Sequence, residues 1–323
     1  MNQYQKSYIN FLQKFIIRHS EKNKQLKVVF DCSNGTTGII LEKLFYGNVK
    51  SKKVNVNKFK TNSLINYQLI SELSDGNFPN HSPNPLVKSA TKQIKKAVLK
   101  NKADLGVIFD GDGDRAVFID NKGKIIDPDI IAYLLIWYLK PKKVVVNETT
   151  SLLVRGRHAS SIKYQVIKSE NGGYAIRQVM KKNNADFGCE RSGHYYFKDF
   201  FNADSGIFSA IQIINAVSQL PYKFSEFVDL LPKYYRSGDI NINFQFSIFN
   251  FQKLIKRIES EYKKNANSIS YIDGLRMDFS DYWFNIQLSN TEPIIRLNLE
   301  AQSKRVLEIK KKELLSLVKS YNV

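Results

Sequence analysis

The chain has 323 residues, 43% hydrophobic and 12% aromatic, which excludes a wholly disordered protein and exceeds what one hydrophobic core usually serves. No run reaches the roughly 18 to 20 apolar residues of a membrane span, the N-terminus lacks a signal-peptide layout, and Cys32 and Cys189 alone make no disulfide framework, so the expected setting is the cytoplasm. The formal charge of +19 admits a basic nucleic-acid-binding protein as one alternative, but the lysines are spread from Lys6 to Lys319 among abundant Asn, Ile and Tyr, which favours compositional drift over a binding patch.

In chain order, Tyr8, Phe11, Leu12, Phe15 and Ile16 have helical spacing, Leu26 to Asp31 reads as a strand, Asn34 to Gly38 as a glycine turn, and Ile39 to Phe45 as a helix. Leu105 to Phe109 and Ala116 to Ile119 read as strands flanking an Asp/Gly turn. From Pro128 the patterns alternate: helix from Ile130 to Leu139, strands at Lys143 to Val146 and Tyr164 to Ile167, helix from Tyr174 to Lys181, strand at Ala185 to Gly188, helix from Ser205 to Ser218. Such alternation argues for an α/β domain with a largely parallel sheet. After Pro232, strand-like stretches (Asp239 to Phe246, Leu275 to Phe279, Trp283 to Leu288, Ile294 to Glu300) surround helical ones (Phe251 to Tyr262, Ser303 to Ser320). The expected fold is two α/β domains with mixed sheets, over 1–122 and 123–236, then a smaller α+β domain over 237–323. No internal repeat is visible.

Asp110-Gly111-Asp112-Gly113-Asp114-Arg115 carries the strongest chemical signal. Three carboxylates alternate with glycines, so they can converge, and converging carboxylates repel one another unless a cation joins them. Hard oxygen ligands of this kind suit Mg²⁺, and Arg115 can fork onto a phosphoryl oxygen. An EF-hand is excluded, because its sixth position would be Arg115 and its twelfth Asn121. A plain hairpin turn remains the bland alternative.

Other loops are weaker when taken singly. Glu190-Arg191-Ser192-Gly193-His194 offers a carboxylate, a hydroxyl and an imidazole suited to sugar hydroxyls. Ser289-Asn290-Thr291-Glu292-Pro293, with Arg296, offers groups that hold phosphate. Asp75 to Pro85 is turn-rich and can simply connect two elements.

In this order, these segments resemble the α-D-phosphohexomutases, specifically the phosphomannomutase/phosphoglucomutase branch, over nearly the whole chain. Asp75-Gly76-Asn77-Phe78-Pro79-Asn80-His81, with Pro83 and Pro85, looks like a stretch typical of that branch. The resemblance implies an isomerase that shuttles a phosphoryl group between O1 and O6 of mannose or glucose phosphate. A hexose 1,6-bisphosphate serves as primer and intermediate, and Mg²⁺ as cofactor. It implies that Asp110, Asp112 and Asp114 hold the metal and that Arg115 lies beside the phosphoryl path. Glu190 and Ser192 would grip sugar hydroxyls with support from His194, while Ser289, Asn290, Thr291 and Arg296 would bind phosphate.

The chain also departs from the family. It has no Thr-Ala-Ser-His-Asn-Pro loop, Gln287 and Leu288 stand where Arg-Pro is usual, Gly173 where a His is common, and Asn147 where the family has Asp. Two readings follow: a mutase completed by a separate polypeptide carrying the serine domain, or a decayed or truncated mutase that only binds phosphosugar.

Overall fold

The computed structural model describes residues 2–16, 24–46, 60–61, 65–156, 163–243, 248–289 and 292–320. Helix α1 (Gln3–Gln13), capped by Asn2, is followed by β1 (Leu26–Asp31), α2 (Thr37–Tyr46), β2 (Lys60–Thr61), β3 (Ile65–Ile70), α3 (Lys92–Asn101), β4 (Leu105–Phe109) and β5 (Ala116–Asp120). Then come α4 (Pro128–Leu139), β6 (Lys143–Asn147), β7 (Gln165–Ser169), α5 (Gly173–Asn183), β8 (Phe187–Cys189), β9 (Tyr195–Phe197), β10 (Ala203–Asp204), α6 (Gly206–Ser218) and α7 (Phe224–Leu230). The remainder holds β11 (Tyr235–Arg236), β12 (Ile240–Asn243), α8 (Ile248–Tyr262), β13 (Ser268–Ser270), β14 (Leu275–Asp278), β15 (Tyr282–Leu288), β16 (Ile294–Ala301) and α9 (Lys304–Ser320). Among the described residues no helix is long and apolar enough to cross a membrane.

The chain divides into two compact units, the first comprising Met1–Val146, Leu152–Ile167 and Gly173–Leu231, the second Asn147–Ser151, Lys168–Gly172 and Pro232–Val323. The architecture is mixed α/β, with three sheets among the described residues. The first runs β2-β3-β1-β4-β5 and the second β10-β9-β8-β6-β7. In the first, β1 pairs in parallel with β3 and β4, and β5 returns antiparallel to β4. In the second, β6 and β8 are parallel while β9 and β10 run antiparallel. This sheet is therefore less parallel than the alternation after Pro128 suggests: a five-residue turn at 190–194 can only deliver an antiparallel neighbour.

The sequence pattern singles out neither β3, α3 nor β9. β3 mixes Asn66 and Gln68 with its apolar positions, and α3 buries only Ile94 and Val98 on a lysine-rich helix. Of the strand expected from Asp239 to Phe246, β12 forms over Ile240–Asn243, and 244–247 lie outside the described residues.

An internal repeat does exist. Reversing the second strand order, β3-β1-β4-β5 corresponds to β7-β6-β8-β9, with α3 and α5 leading into β4 and β8. Ala103-Asp104-Leu105-Gly106 matches Ala185-Asp186-Phe187-Gly188, and the bonds match too. Lys27 N donates to Asp104 Oδ2 at 2.9 Å, and Lys143 N to Asp186 Oδ2 at 3.1 Å. Lys27 Nζ donates to Asn101 O and Lys143 Nζ to Asn183 O, each at 2.8 Å. The common residues are too few and too scattered to register as a sequence repeat. Their role is to anchor the helix end to the strand start.

Gly106 and Gly188 are needed because helix and strand approach closely. A Cβ on Gly106 would sit 2.7 Å from Val98 Cγ2 on α3, and one on Gly188 would sit 2.9 Å from Met180 Sδ on α5. Around this frame lies one large core, including Phe30, Phe109, Phe118, Phe187 and Phe208, and α6 is buried along nearly its whole length, Ser209, Gln212 and Asn215 included.

In the second unit, α8 and α9 cover a sheet ordered β11-β16-β15-β14-β13 through Leu254, Ile258, Phe284, Ile286, Leu297 and Leu314. Arg276, fully buried, donates from Nη2 to Asp278 Oδ1 at 2.7 Å and from Nη1 to the carbonyls of Glu148 and Thr150. Its guanidinium also lies 3.9 Å from the centre of the Trp283 ring. This buried cation ties the 147–151 segment to the sheet.

Gly106→Ala and Gly188→Ala should each destabilise the chain by about 1–3 kcal/mol through overpacking. Urea unfolding measures it; a neutral effect at both sites would refute the close-approach account.

Candidate functional site

The acidic turn joins β4 to β5, with Phe109 paired to Ala116, and the Glu190–His194 turn joins β8 to β9, with Cys189 paired to Tyr195. The two loops thus hold equivalent places in the repeat. Within the first unit they also adjoin: His194 Nδ1 lies 3.9 Å from Asp114 Oδ2.

Asp110 organises its loop. Its Oδ1 accepts from Gly113 N at 3.0 Å and Arg115 N at 3.1 Å, and its Oδ2 accepts from Arg115 Nε at 2.6 Å. Gly113 takes φ +81°, a left-handed conformation that this closure requires and that side chains disfavour. Two helix starts are bonded to the loop as well. Thr36 N, just before α2, donates to Gly111 O at 3.1 Å, and Gly206 N, the first residue of α6, to Gly113 O at 2.9 Å. Their positive ends face a loop of three carboxylates.

Carboxylate oxygens of Asp110, Asp112 and Asp114 lie within 4.8 Å of one another. Burial, then the hydrogen bond and charge of Asp110, push the Asp114 carboxyl up to about 7. Burial also acts upward on Asp110, but bonds from Asp114 and Arg115 outweigh it and hold that carboxyl below its ordinary value. One carboxyl of the group thus tends to keep a proton, the response of crowded carboxylates without a cation. An all-oxygen set at this spacing fits Mg²⁺, whose ligands stand roughly 2.1 Å from the ion, after a small inward movement.

The Asp75–His81 stretch is more than a connection. Asp75 N donates to Asn34 O and Asn80 Nδ2 to Asn34 Oδ1, each at 2.9 Å, and Phe78 and Pro83 pack against Gly111. His81 Nε2 lies 3.1 Å from both oxygens of buried Asp31, while Nδ1 lies 2.8 Å from Ser82 O. With an acceptor at each nitrogen, the imidazolium is the favoured form; the Asp31 bond, opposed by burial, raises the His81 pKa above 6.5. Ser33, whose N–H also donates to Asp31, donates its hydroxyl to Phe109 O at 2.6 Å, next to Asp110.

In the other turn, Glu190 is largely buried and its Oε2 accepts from Tyr196 Oη at 2.6 Å. Ser192 is half-buried, and His194 Nδ1 pairs with Asp204 Oδ2 at 2.8 Å. Sequence reasoning singled out neither Tyr196 nor Asp204. Tyr196 sits in a strand-like Tyr-Tyr-Phe run, and Asp204 meets His194 only through the fold. A Cβ at Gly173 would stand 3.0 Å from the Tyr196 hydroxyl, so no larger side chain fits there without displacing the group that holds Glu190. Both cysteines are buried, and burial pushes both thiols up, which suits inert core residues.

In the second unit, Ser289 N donates to Ile294 O at 2.9 Å, and Arg296, paired in register with Gln287, stands 3.7 Å from Glu292. Asn290 and Thr291 lie outside the described residues. Gln287 brings its amide to 3.1 Å from the Asp273 carboxylate. Asn147 accepts from Thr149 and Thr150 hydroxyls at 3.1 and 2.9 Å.

Two adjoining hairpin loops of a repeated α/β unit, one acidic and one polar, make up the candidate site. The chain belongs to the phosphoglucomutase/phosphomannomutase family: residues 6–123 match that family's alpha/beta/alpha domain II and residues 127–234 its alpha/beta/alpha domain III. A phosphomannomutase of Methanocaldococcus jannaschii is 29% identical over 314 residues, covering 95% of this chain and 64% of its own length. Among solved structures, a phosphoglucomutase/phosphomannomutase family protein from Burkholderia thailandensis superposes with a TM-score of 0.79 at 22% identity, over 98% of this chain and 64% of that one. Aspergillus fumigatus N-acetylphosphoglucosamine mutase, solved with GlcNAc-6P and magnesium, has a TM-score of 0.63 at 13% identity, over 99% of this chain and 66% of that one. The chain thus spans less than two thirds of the length of these relatives.

Two outcomes test this geometry. Asp112→Asn, at the exposed ligand, should weaken Mg²⁺ binding in calorimetry at least about tenfold; unchanged binding would place the cation elsewhere. Because the folded pKa of His81 is raised, its contribution to stability is present below 6.5 and lost as pH rises through the folded value. His81→Gln should therefore flatten the fall in urea stability that begins as pH rises above 6.5.

Proposed function

We propose that this chain supplies the metal, sugar and phosphate loops of a phosphohexomutase acting between O1 and O6 of mannose or glucose phosphate in the cytoplasm. The observation that carries the reading is the placement of Asp110–Arg115 and Glu190–His194 on adjoining hairpins of one unit, with His194 between Asp114 and Asp204. Three domains, 1–122, 123–236 and 237–323, would each provide one loop. The relatives' names and the GlcNAc-6P and magnesium in the Aspergillus structure support this assignment by kinship.

Asp110, Asp112 and Asp114 would hold Mg²⁺, which when bound supplies charge stabilisation to a transferring phosphoryl group. Arg115, its Nε committed to Asp110, keeps its terminal nitrogens for a phosphoryl oxygen. Glu190, oriented by Tyr196, and Ser192 would accept and donate to neighbouring sugar hydroxyls, so the sugar could be held in either orientation. Ser289, Asn290, Thr291 and Arg296 would hold the phosphate that is not reacting. In the first transfer a phosphoserine O–P bond breaks and a bond to the free sugar hydroxyl forms, giving a hexose 1,6-bisphosphate; after the sugar reorients, the other phosphate returns to the serine. Such chemistry depends chiefly on positioning and charge. The 323 residues contain no Thr-Ala-Ser-His-Asn-Pro segment, so the serine would come from outside them, whether from a separate polypeptide or not.

A second reading, phosphosugar binding without turnover, is favoured by one observation: Gln287, Asn147 and Gly173 each sit in a locally satisfied arrangement that does not need the family's residue.

The test is reconstitution. With a serine-loop domain, Mg²⁺ and a bisphosphate primer, mannose 1-phosphate or glucose 1-phosphate should become the 6-phosphate, and Glu190→Gln should lower kcat/KM roughly 10- to 100-fold, the worth of a hydrogen bond to a charged group. Calorimetric binding of mannose 6-phosphate without conversion would select the second reading.

A further inference from the structure

We propose that Asp114, His194 and Asp204 form a second cation site, suited to a borderline ion such as Zn²⁺, that competes with the carboxylate turn for Asp114. One ligand atom from each residue lies within 4.8 Å of the others. His194 Nδ1 stands 2.8 Å from Asp204 Oδ2 and 3.9 Å from Asp114 Oδ2. Tetrahedral zinc, with bonds of roughly 2.0–2.2 Å, needs its ligands roughly 3.3 Å apart, a value these two separations bracket.

The donor set differs in kind from the Mg²⁺ set. Imidazole nitrogen favours zinc-like ions over hard Mg²⁺, whereas Asp110, Asp112 and Asp114 offer oxygen alone. The side chains of Asp114, His194 and Asp204 are 41%, 19% and 18% exposed, so an ion can reach them from solvent. They come from three separate segments, namely the β4–β5 turn, the β8–β9 turn and the end of β10, so the fold assembles the cluster. On binding, His194 Nδ1 gives its proton to solvent and exchanges the Asp204 hydrogen bond for a metal bond, the ring keeping its proton on Nε2. Asp114 turned toward this ion is lost to the carboxylate trio, so zinc occupancy lowers Mg²⁺ affinity.

The experiment is a Zn²⁺ titration of the full chain, followed by calorimetry and by the ring ¹⁵N resonances of His194, one of four histidines. Zinc should move the His194 Nδ1 resonance strongly and weaken Mg²⁺ binding. Asp112→Asn should lose far more Mg²⁺ than Zn²⁺ affinity, and Asp204→Asn or His194→Gln should weaken Zn²⁺ at least about tenfold while circular dichroism shows a folded chain. Should a variant fail to fold, the Nδ1 resonance of the unaltered chain decides. An unmoved resonance, or Zn²⁺ lost together with Mg²⁺ in Asp112→Asn, places zinc on the carboxylate turn and overturns the proposal. Since the readout is binding alone, the outcome is independent of mutase turnover.

Discussion

Crowding of like charge at residues 110–114 is the constraint that the hydrogen bonds of this loop and its neighbours answer. At separations up to 4.8 Å and an effective dielectric of about 20, two ionised carboxylates repel by at least about 3.5 kcal/mol. Hydrogen bonds to a charged acceptor contribute about 1.5–3 kcal/mol each, and Asp110 collects three of them from Gly113 and Arg115. The two helix starts at Thr36 and Gly206 add favourable dipole ends. A shared proton offsets part of what remains, and a divalent cation would remove it.

Support for that loop reaches outward in one direction. Asp31 holds His81 and Ser33, Ser33 holds the carbonyl of Phe109, and Phe109 precedes Asp110. The Asp75–His81 stretch therefore acts as a strap that fixes the approach of β4 to the turn. Its rigidity comes from an ion pair excluded from water, where Asp31 is fully buried and a charge without its partner would be costly.

The repeated strand plan gives the acidic and polar loops equivalent places, each in its own sheet. Each is the hairpin after a helix-linked strand, and each strand starts from the same Lys–Asp clasp, Lys27 with Asp104 and Lys143 with Asp186. Equivalent scaffolds deliver their loops to equivalent positions, so chemistry can differ between Asp110–Arg115 and Glu190–His194 without altering the frame. The second unit uses another device, a buried Arg276 shared among Asp278, Glu148 O and Thr150 O.

Strong local signals made much of the molecule legible. The apolar run Leu105–Phe109 marked β4, strand-like stretches marked β1 and β15, glycine-spaced aspartates marked a tight turn between two strands, and the pattern after Pro232 marked a change of architecture, because pleat, helical period and turn chemistry act over a few residues. The sequence by itself determined which groups were available: three aspartates, a glutamate, a histidine and their order. Tertiary structure alone decided that His194 would meet Asp204 and Asp114, that Tyr196 would hold Glu190 and fill the space beside Gly173, and that two dissimilar segments would share one strand plan. Those outcomes depend on contacts between distant residues, whose geometry comes from packing the whole frame and leaves no periodic trace along the chain.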